Sequence, residues 1–348
     1  MKILIAGNLG YIGPAVTNQL RNSFPNAEII GFDIGYFAPY LTNATFLEER
    51  KLNQQIFGDI REFPDQLLEG VDIVLNLAAI SNDPMGNKFE EITLDINYKA
   101  AVELARKAQK AGVKAYTYAS SCSIYGSASE YPKKESDNLN PLTAYARSKV
   151  YTENDLVPFA SPDFKVTCLR FATACGFTSR LRLDLVLNDF VAGAFINKQI
   201  SILSDGTPWR PLINAHDMAR AFEWSIIRDA QKTGNFLVIN TGSNDWNYQI
   251  KSLAEAVAEL IPGVVVSVNH NAEPDKRSYR VNFDLFRSVA PSHQPLHNLT
   301  STIEQLISNL QEMGFNDVNY RQSHLIRLHV LNNLLNKNMI NQKLQWIS

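Results

Sequence analysis

The first 33 residues constrain the fold more than any other stretch. A short apolar run, KILIA (2–6), ends at Gly7, and glycines recur at Gly10 and Gly13 before a helix-like segment reaching about residue 24. A second apolar run, EIIGFD (28–33), closes on Asp33, 26 residues after Gly7. Strand, glycine turn, helix and strand in that order read as a βαβ unit. Such a turn lets backbone N–H groups approach a pyrophosphate at the helix N-terminus. Asp33 is then placed to accept hydrogen bonds from adenosine ribose hydroxyls. A carboxylate there repels a 2′-phosphate, and Ile34-Gly35-Tyr36 supplies no arginine to bind one. The pattern predicts NAD rather than NADP, with a plain βαβ turn as the alternative.

Downstream, apolar runs and helical periodicities alternate. VDIVLNLAA (71–79) is nearly continuous, as expected of a parallel strand buried on both faces. A helix over about 90–111 stops at Gly112, VKAYTYAS (113–120) is the next strand, 142–160 the next helix and FKVTCLRFA (164–172) another strand. This predicts an α/β fold: a Rossmann-like doubly wound parallel sheet within residues 1–175. After 175 the regularity breaks into a helix at 183–198, ISIL, a helix at 215–229, FLVIN (236–240) and a polar helical tail from about 300. Residues 176–348 are expected to form mostly a smaller C-terminal substrate-binding lobe, interleaved with the first domain.

Composition narrows the class further. A chain of 348 residues with 45% hydrophobic and 20% charged residues is ordinary for a globular protein. A formal net charge of −2 gives no reason to expect nucleic acid or an anionic membrane as partner. Cys122, Cys168 and Cys175 are an odd, sparse set without metal-ligand spacing, so no metal is expected. They fit reduced thiols in a cytoplasmic setting. MKILIAG is too short for a signal-peptide core or a membrane span.

The chemistry is expected in the stretch from Ser120 to Lys149. Tyr145 and Lys149 are four residues apart, and on a helix they share a face. An ammonium beside a phenol is expected to lower its pKa from about 10. With the Ser121 hydroxyl aimed at the same point, the set is general acid–base equipment for an alcohol–ketone conversion. Taken singly, such a tyrosine and lysine are common on half-exposed helices; the dinucleotide signature gives them weight.

These motifs resemble those of the extended short-chain dehydrogenase/reductase family, in its sugar-nucleotide epimerase/dehydratase branch. The likeness runs over most of the chain: GxxGxxG at 7–13, Asp33, Asp59-Ile60, LAA at 77–79, Asn97, SSxxxYG at 120–126 and YxxxK at 145–149. It continues through LRFATACG (169–176), RPLINAHDMARA (210–221) and DKRSYRVNFD (275–284). The resemblance implies Tyr145 as general base, Lys149 as its partner and a ligand of the nicotinamide ribose, and Ser121 on the reacting oxygen. It implies that Gly7, Gly10, Tyr11, Ile12 and Gly13 hold the cofactor. Asp59 and Ile60 would flank the adenine, Leu77, Ala78 and Ala79 would line the cleft, and Asn97 would sit near active-site water. Arg210 and Arg277 match arginines used on a nucleotide diphosphate, a surface charge or an ion pair being the alternative. The helices at 90–111 and 142–160 are those the family uses for a homodimer.

Two departures shape the expected reaction. Thr173 stands where the family usually has an asparagine on the substrate phosphates; Arg180 or Arg182 is a candidate substitute, or a solvated helix charge. Cys122 and Ser123, expected beside the substrate, occupy the positions where 4,6-dehydratases carry one or two carboxyls. Neither is an acid of the needed strength. The expectation is an NAD-dependent epimerase oxidising a nucleoside-diphosphate sugar at C4. A 4-keto-sugar reductase or dehydratase of the same family is the alternative, and a non-catalytic NAD-binding sensor a more distant one.

Overall fold

The computed structural model describes residues 1–42, 47–127, 131–269 and 277–347. The first two residues of the 275–284 segment thus lie outside the described residues. In chain order the strands are β1 Lys2–Ala6, β2 Glu28–Asp33, β3 Gln54–Phe57, β4 Ile73–Asn76, β5 Ala115–Ser121, β6 Lys165–Phe171, β7 Thr173–Cys175, β8 Gln199–Ile202, β9 Trp209–Asn214, β10 Phe236–Thr241, β11 Asn247–Gln249 and β12 Val265–Val268. Seven of them make one parallel sheet in the order β10-β6-β5-β4-β1-β2-β3. The chain winds outward one way from β1 and the other way from β4. The crevice between their carboxyl ends is therefore the topological switch point, where ligands bind in such sheets.

The buried strands explain the sheet's two coats. Leu4, Val74 and Tyr116 point into one apolar core, shared with helices at Ala101–Lys110 and Arg327–Asn336. Ile3, Leu75 and Leu169 point into the other, shared with helices at Gly13–Ser23 and Ala215–Ile227. A third core fills the smaller lobe among the helices Val186–Asn197, Ile250–Leu260 and Leu299–Glu312. The chain does not change lobe once at residue 175. After building β7, β8 and β9 it returns to lay the 215–227 helix and β10 on the large sheet, and the 327–336 helix packs there again.

The helix read at 90–111 is interrupted. Glu90–Leu94 and Ala101–Lys110 are α-helical, but Asp95–Ala100 forms a π turn, a feature common near functional sites. The carbonyl of Asn97 in that turn accepts from Tyr118 Oη at 2.9 Å and Thr152 Oγ1 at 3.0 Å. The turn thereby ties β5 to the Ala144–Leu156 helix, which carries Tyr145 and Lys149.

That helix is also fixed by charge. Glu153, one turn beyond Lys149, pairs with Arg170 of β6 at 2.7 Å and accepts from Ser120 of β5 at 2.5 Å. Both charged side chains are almost wholly buried. Breaking a buried pair leaves an uncompensated charge, so Glu153→Ala should cost about 3–5 kcal/mol, read as a lower urea midpoint. The double change Glu153→Leu, Arg170→Met should recover much of the loss, since a well-packed apolar pair replaces the ions.

Candidate active site

One large cavity, about 930 Å³, opens at the switch point. The glycine turn forms its floor. Gly7 adopts φ +85°, and a Cβ there would lie 2.5 Å from Ala78 N, so only glycine lets the ends of β1 and β4 meet. At Gly13 a Cβ would fall 1.8 Å from Asn8 O, which explains the third glycine at the helix start. No side chain caps the Gly13–Ser23 helix. Its N-terminal N–H groups are thus left for a ligand, with the positive end of the helix dipole behind them. Gly10, Tyr11 and Ile12 line the same floor.

Along one wall, Asp33 accepts from Leu9 N at 3.0 Å and Gly35 N at 2.7 Å. Burial raises its pKa, and these two N–H groups partly offset the rise. Asp59 and Ile60 follow on the wall, the Asp59 carboxylate held by Arg61. Leu77, Ala78 and Ala79 continue it across the switch point. Floor and wall fit a dinucleotide. There is a cradle that any Cβ would fill, an uncapped helix start and a carboxylate at the end of the second strand.

Facing this wall are Ser121, Tyr145 and Lys149. Ser121 ends β5 and caps the next turn by accepting from Ser123 N at 3.2 Å. Thr143 caps the following helix, so Tyr145 sits in its first turn. Lys149 Nζ donates to Ala119 O at 2.7 Å, and lies 4.6 Å from the Tyr118 ring centre and 5.3 Å from that of Tyr145. Burial pulls Lys149 down to about 7. Tyr145 is pushed up to about 12, chiefly by burial, with the nearby Ser121 hydroxyl offsetting part of the rise. The lowered phenol expected from the sequence is therefore reversed. Desolvation disfavours both charged forms, and an amine near neutrality is a weak counter-charge.

Five carboxylates line the cavity among the described residues, and each is already engaged. Beyond Asp33 and Asp59, Asp83 accepts from Thr143 Oγ1 at 2.6 Å and pairs with Arg277 at 2.7 Å. Asp184 is bound by Arg182 and by Asn82 Nδ2, and Asp189 by Arg321 and Tyr320. Arg182 is neither solvated nor helical: it is buried, and its Nη1 reaches Ser81 Oγ at 2.7 Å. Arg180 is likewise buried, held by Glu49 and off the cavity wall. Arg210 and Arg277 line the cavity, Arg210 donating to the Trp209 and Arg277 carbonyls and stacking on Tyr279. Thr173 and Ser123 line it as well, and the Ser123 hydroxyl is buried without a hydrogen-bond partner.

Two expected residues lie elsewhere. Cys122 is 1% exposed and faces the core, its Sγ donating to Arg170 O, because the short turn after Ser121 packs Cys122, Ile124 and Tyr125 inward. Asn97 does not reach the cavity. Its amide is spent on the Ile80 backbone and Ser148, so it positions the loop after β4. Asp83, Asn82 and Asp184 escaped the sequence reading, because their partners lie two to 194 residues away without a recurring spacing.

The family model described as "NAD dependent epimerase/dehydratase family" matches residues 3–242. The chain belongs to the NAD-dependent epimerase/dehydratase family. NAD is that family's cofactor, matching the fit of the floor and wall. "Uncharacterized UDP-glucose epimerase YtcB" of Bacillus subtilis (strain 168) is 28% identical over 239 residues, 63% of this chain and 71% of that protein. UDP-glucuronic acid decarboxylase 6 of Arabidopsis thaliana is 22% identical over 298 residues, 83% of each. A UDP-glucuronic acid 4-epimerase from Bacillus cereus, solved with UDP-glucuronic acid and NAD, has a TM-score of 0.76 at 22% identity, covering 90% of this chain and 100% of that one. Family membership thus fixes fold and cofactor, while its relatives span epimerases and decarboxylases. No helix among the described residues is long and apolar enough to cross a membrane, and none of them forms a three-residue metal-ligand cluster.

Burial of Lys149 sets a pH dependence. Its folded pKa lies near 7, well below the unfolded ~10.4. Between those values the unfolded chain binds a proton that the folded protein has released, so this group makes stability rise with pH across that window. NMR of protein carrying ¹³Cε-lysine, free of nucleotide, should show one lysine titrating near pH 7 that disappears in Lys149→Met. Titration of every lysine above pH 10 would contradict the account.

Proposed function

We propose that the protein is a sugar-nucleotide epimerase that oxidises a nucleoside-diphosphate sugar transiently at C4. The floor at Gly7, Gly10 and Gly13 with Asp33 on the wall would hold NAD, which would supply the hydride acceptor and donor for that carbon. Tyr145 takes the proton of the sugar hydroxyl, and Ser121 donates a hydrogen bond to the same oxygen as it becomes a carbonyl. The phenol, held near 12 in this structure, would ionise more readily beside the positive charge that an oxidised dinucleotide would supply. Lys149, near 7, is poised to relay a proton at neutral pH. Arg210, Arg277 and Arg182 supply the cationic wall for a diphosphate, guanidinium being suited to its paired oxygens. Thr173 and Ser123 complete the sugar side.

The observation that carries the choice among reactions is the state of the carboxylates. Dehydration and decarboxylation of such sugars begin with the same oxidation. The elimination that makes a dehydratase then needs a free acid or base at the neighbouring carbons. Each carboxylate on this cavity among the described residues is engaged by a cation, a backbone N–H or a hydroxyl. Beside Ser121 stand a core-facing thiol and a serine. Return of the hydride after the ketone has turned over needs no further acid, and gives the C4 epimer. A 4-keto-sugar reductase would use the same residues but release oxidised cofactor. A homodimer through the helices at 90–110 and 144–156 belongs to the same proposal.

The test is to screen UDP-, GDP-, CDP- and dTDP-sugars by mass spectrometry and NMR. A C4 epimer of unchanged mass is expected. Tyr145→Phe should lower turnover by about 10²–10⁴-fold while leaving the fold intact. A 4-keto-6-deoxy product, or near wild-type turnover in Tyr145→Phe, would overturn the proposal.

A further inference from the structure

The helix Arg327–Asn336 comes from the far end of the chain, yet its first residue lines the wall built by the first forty. Arg327 is 2% exposed, and its guanidinium carbon lies 4.3 Å from the centre of the Phe37 ring. One N–H donates to Arg180 O at 3.0 Å. Its neighbours Arg180 and Arg182 have carboxylate partners, Glu49 and Asp184. Among the described residues no carboxylate forms an ion pair with Arg327. A guanidinium has five N–H donors, and a buried charge without a counter-ion is strongly unfavourable. Burial pulls its pKa to about 9, which still leaves it charged at neutral pH. A group built in this way needs an anion, and the cavity it faces is where one can enter.

The surroundings identify that anion. Arg182, which reaches Ser81 on the Tyr145 side, and Arg180 oppose the charge on Arg327, while Asp184 and, on the adenosine side, Asp33 favour it without forming an ion pair with it. The part of a dinucleotide that joins its adenosine half to its nicotinamide half is the pyrophosphate. We propose that Arg327 is a cofactor-binding residue that donates to this pyrophosphate, so that the C-terminal helix completes the dinucleotide site. The planar fork matches paired phosphate oxygens. The segment after the helix is fastened to the same region. Tyr36 Oη donates to Leu344 O, Trp346 Nε1 to Ile34 O at 2.7 Å and Arg61 Nη1 to Lys343 O at 2.7 Å. Arg327 is therefore held against the end of β2.

This inference rests on the reading that the cavity holds NAD. The experiment is isothermal titration of the nucleotide-stripped full chain, wild type against Arg327→Met, with NAD, ADP, adenosine and UDP. Methionine keeps a stem over Phe37 and removes the charge. NAD and ADP should bind roughly 10- to 100-fold more weakly to the variant, with adenosine and UDP changed by less than about 2-fold. Should Arg327→Met fail to fold, Arg327→Lys carries the same comparison, with loss again confined to NAD and ADP. Unaltered NAD binding would overturn the proposal, as would equal weakening of adenosine, which marks a purely structural role. Loss on UDP with NAD unchanged would overturn it by assigning the arginine to the sugar nucleotide's diphosphate. Failure of the wild-type protein to bind NAD would instead sink the cofactor reading on which it rests.

Discussion

The architecture depends on the approach of two strand ends. Gly7, at the end of β1, and Ala78, just past β4, come so close that any side chain on the first would strike the second's backbone. That contact is possible only at the switch point, where the chain winds away from β1 in both directions. It fixes the crevice floor, aims the uncapped start of the Gly13–Ser23 helix across it and places Asp33 on one side. On the other side, the buried Glu153–Arg170 pair and the π turn at Asp95–Ala100 hold the Ala144–Leu156 helix in register with β5. Tyr145 and Lys149 therefore face the floor from a scaffold fixed at several points.

Enclosure sets the chemistry of the cavity more than any one contact. Desolvation raises Tyr145, lowers Lys149 and raises Asp33. In that environment an unpaired charge is expensive, and the acidic groups on the wall have partners accordingly. Under the proposed epimerase reading the site serves reversible oxidation, where a proton and a hydride leave and return, and none of its described carboxylates is left uncommitted for an elimination.

Much of this was legible in the sequence because it is local. The glycine spacing, Asp33 and the four-residue separation of Tyr145 and Lys149 follow from the geometry of one turn or one helix. The direction of the Tyr145 shift was not legible, because it depends on how deeply other segments bury the pair. Cys122 and Asn97 show a related limit: their positions along the chain match the motif, but the turn after Ser121 and the loop after β4 draw both side chains off the cavity. Arg277 was legible in its motif, but its partner Asp83, 194 residues away, was not. Arg327 above Phe37 carries no local signature and becomes visible only once the last helix packs on the first sheet.

The central claim is that the hydride removed from C4 returns to C4. A nucleoside-diphosphate sugar bearing deuterium at C4 tests it directly, with the product read by NMR and mass spectrometry. The account predicts an inverted C4 that keeps its deuterium, with no solvent hydrogen gained at C3 or C5. Loss of the label from C4, or a product that takes up solvent hydrogen at C5 and lacks its 6-hydroxyl, would contradict it.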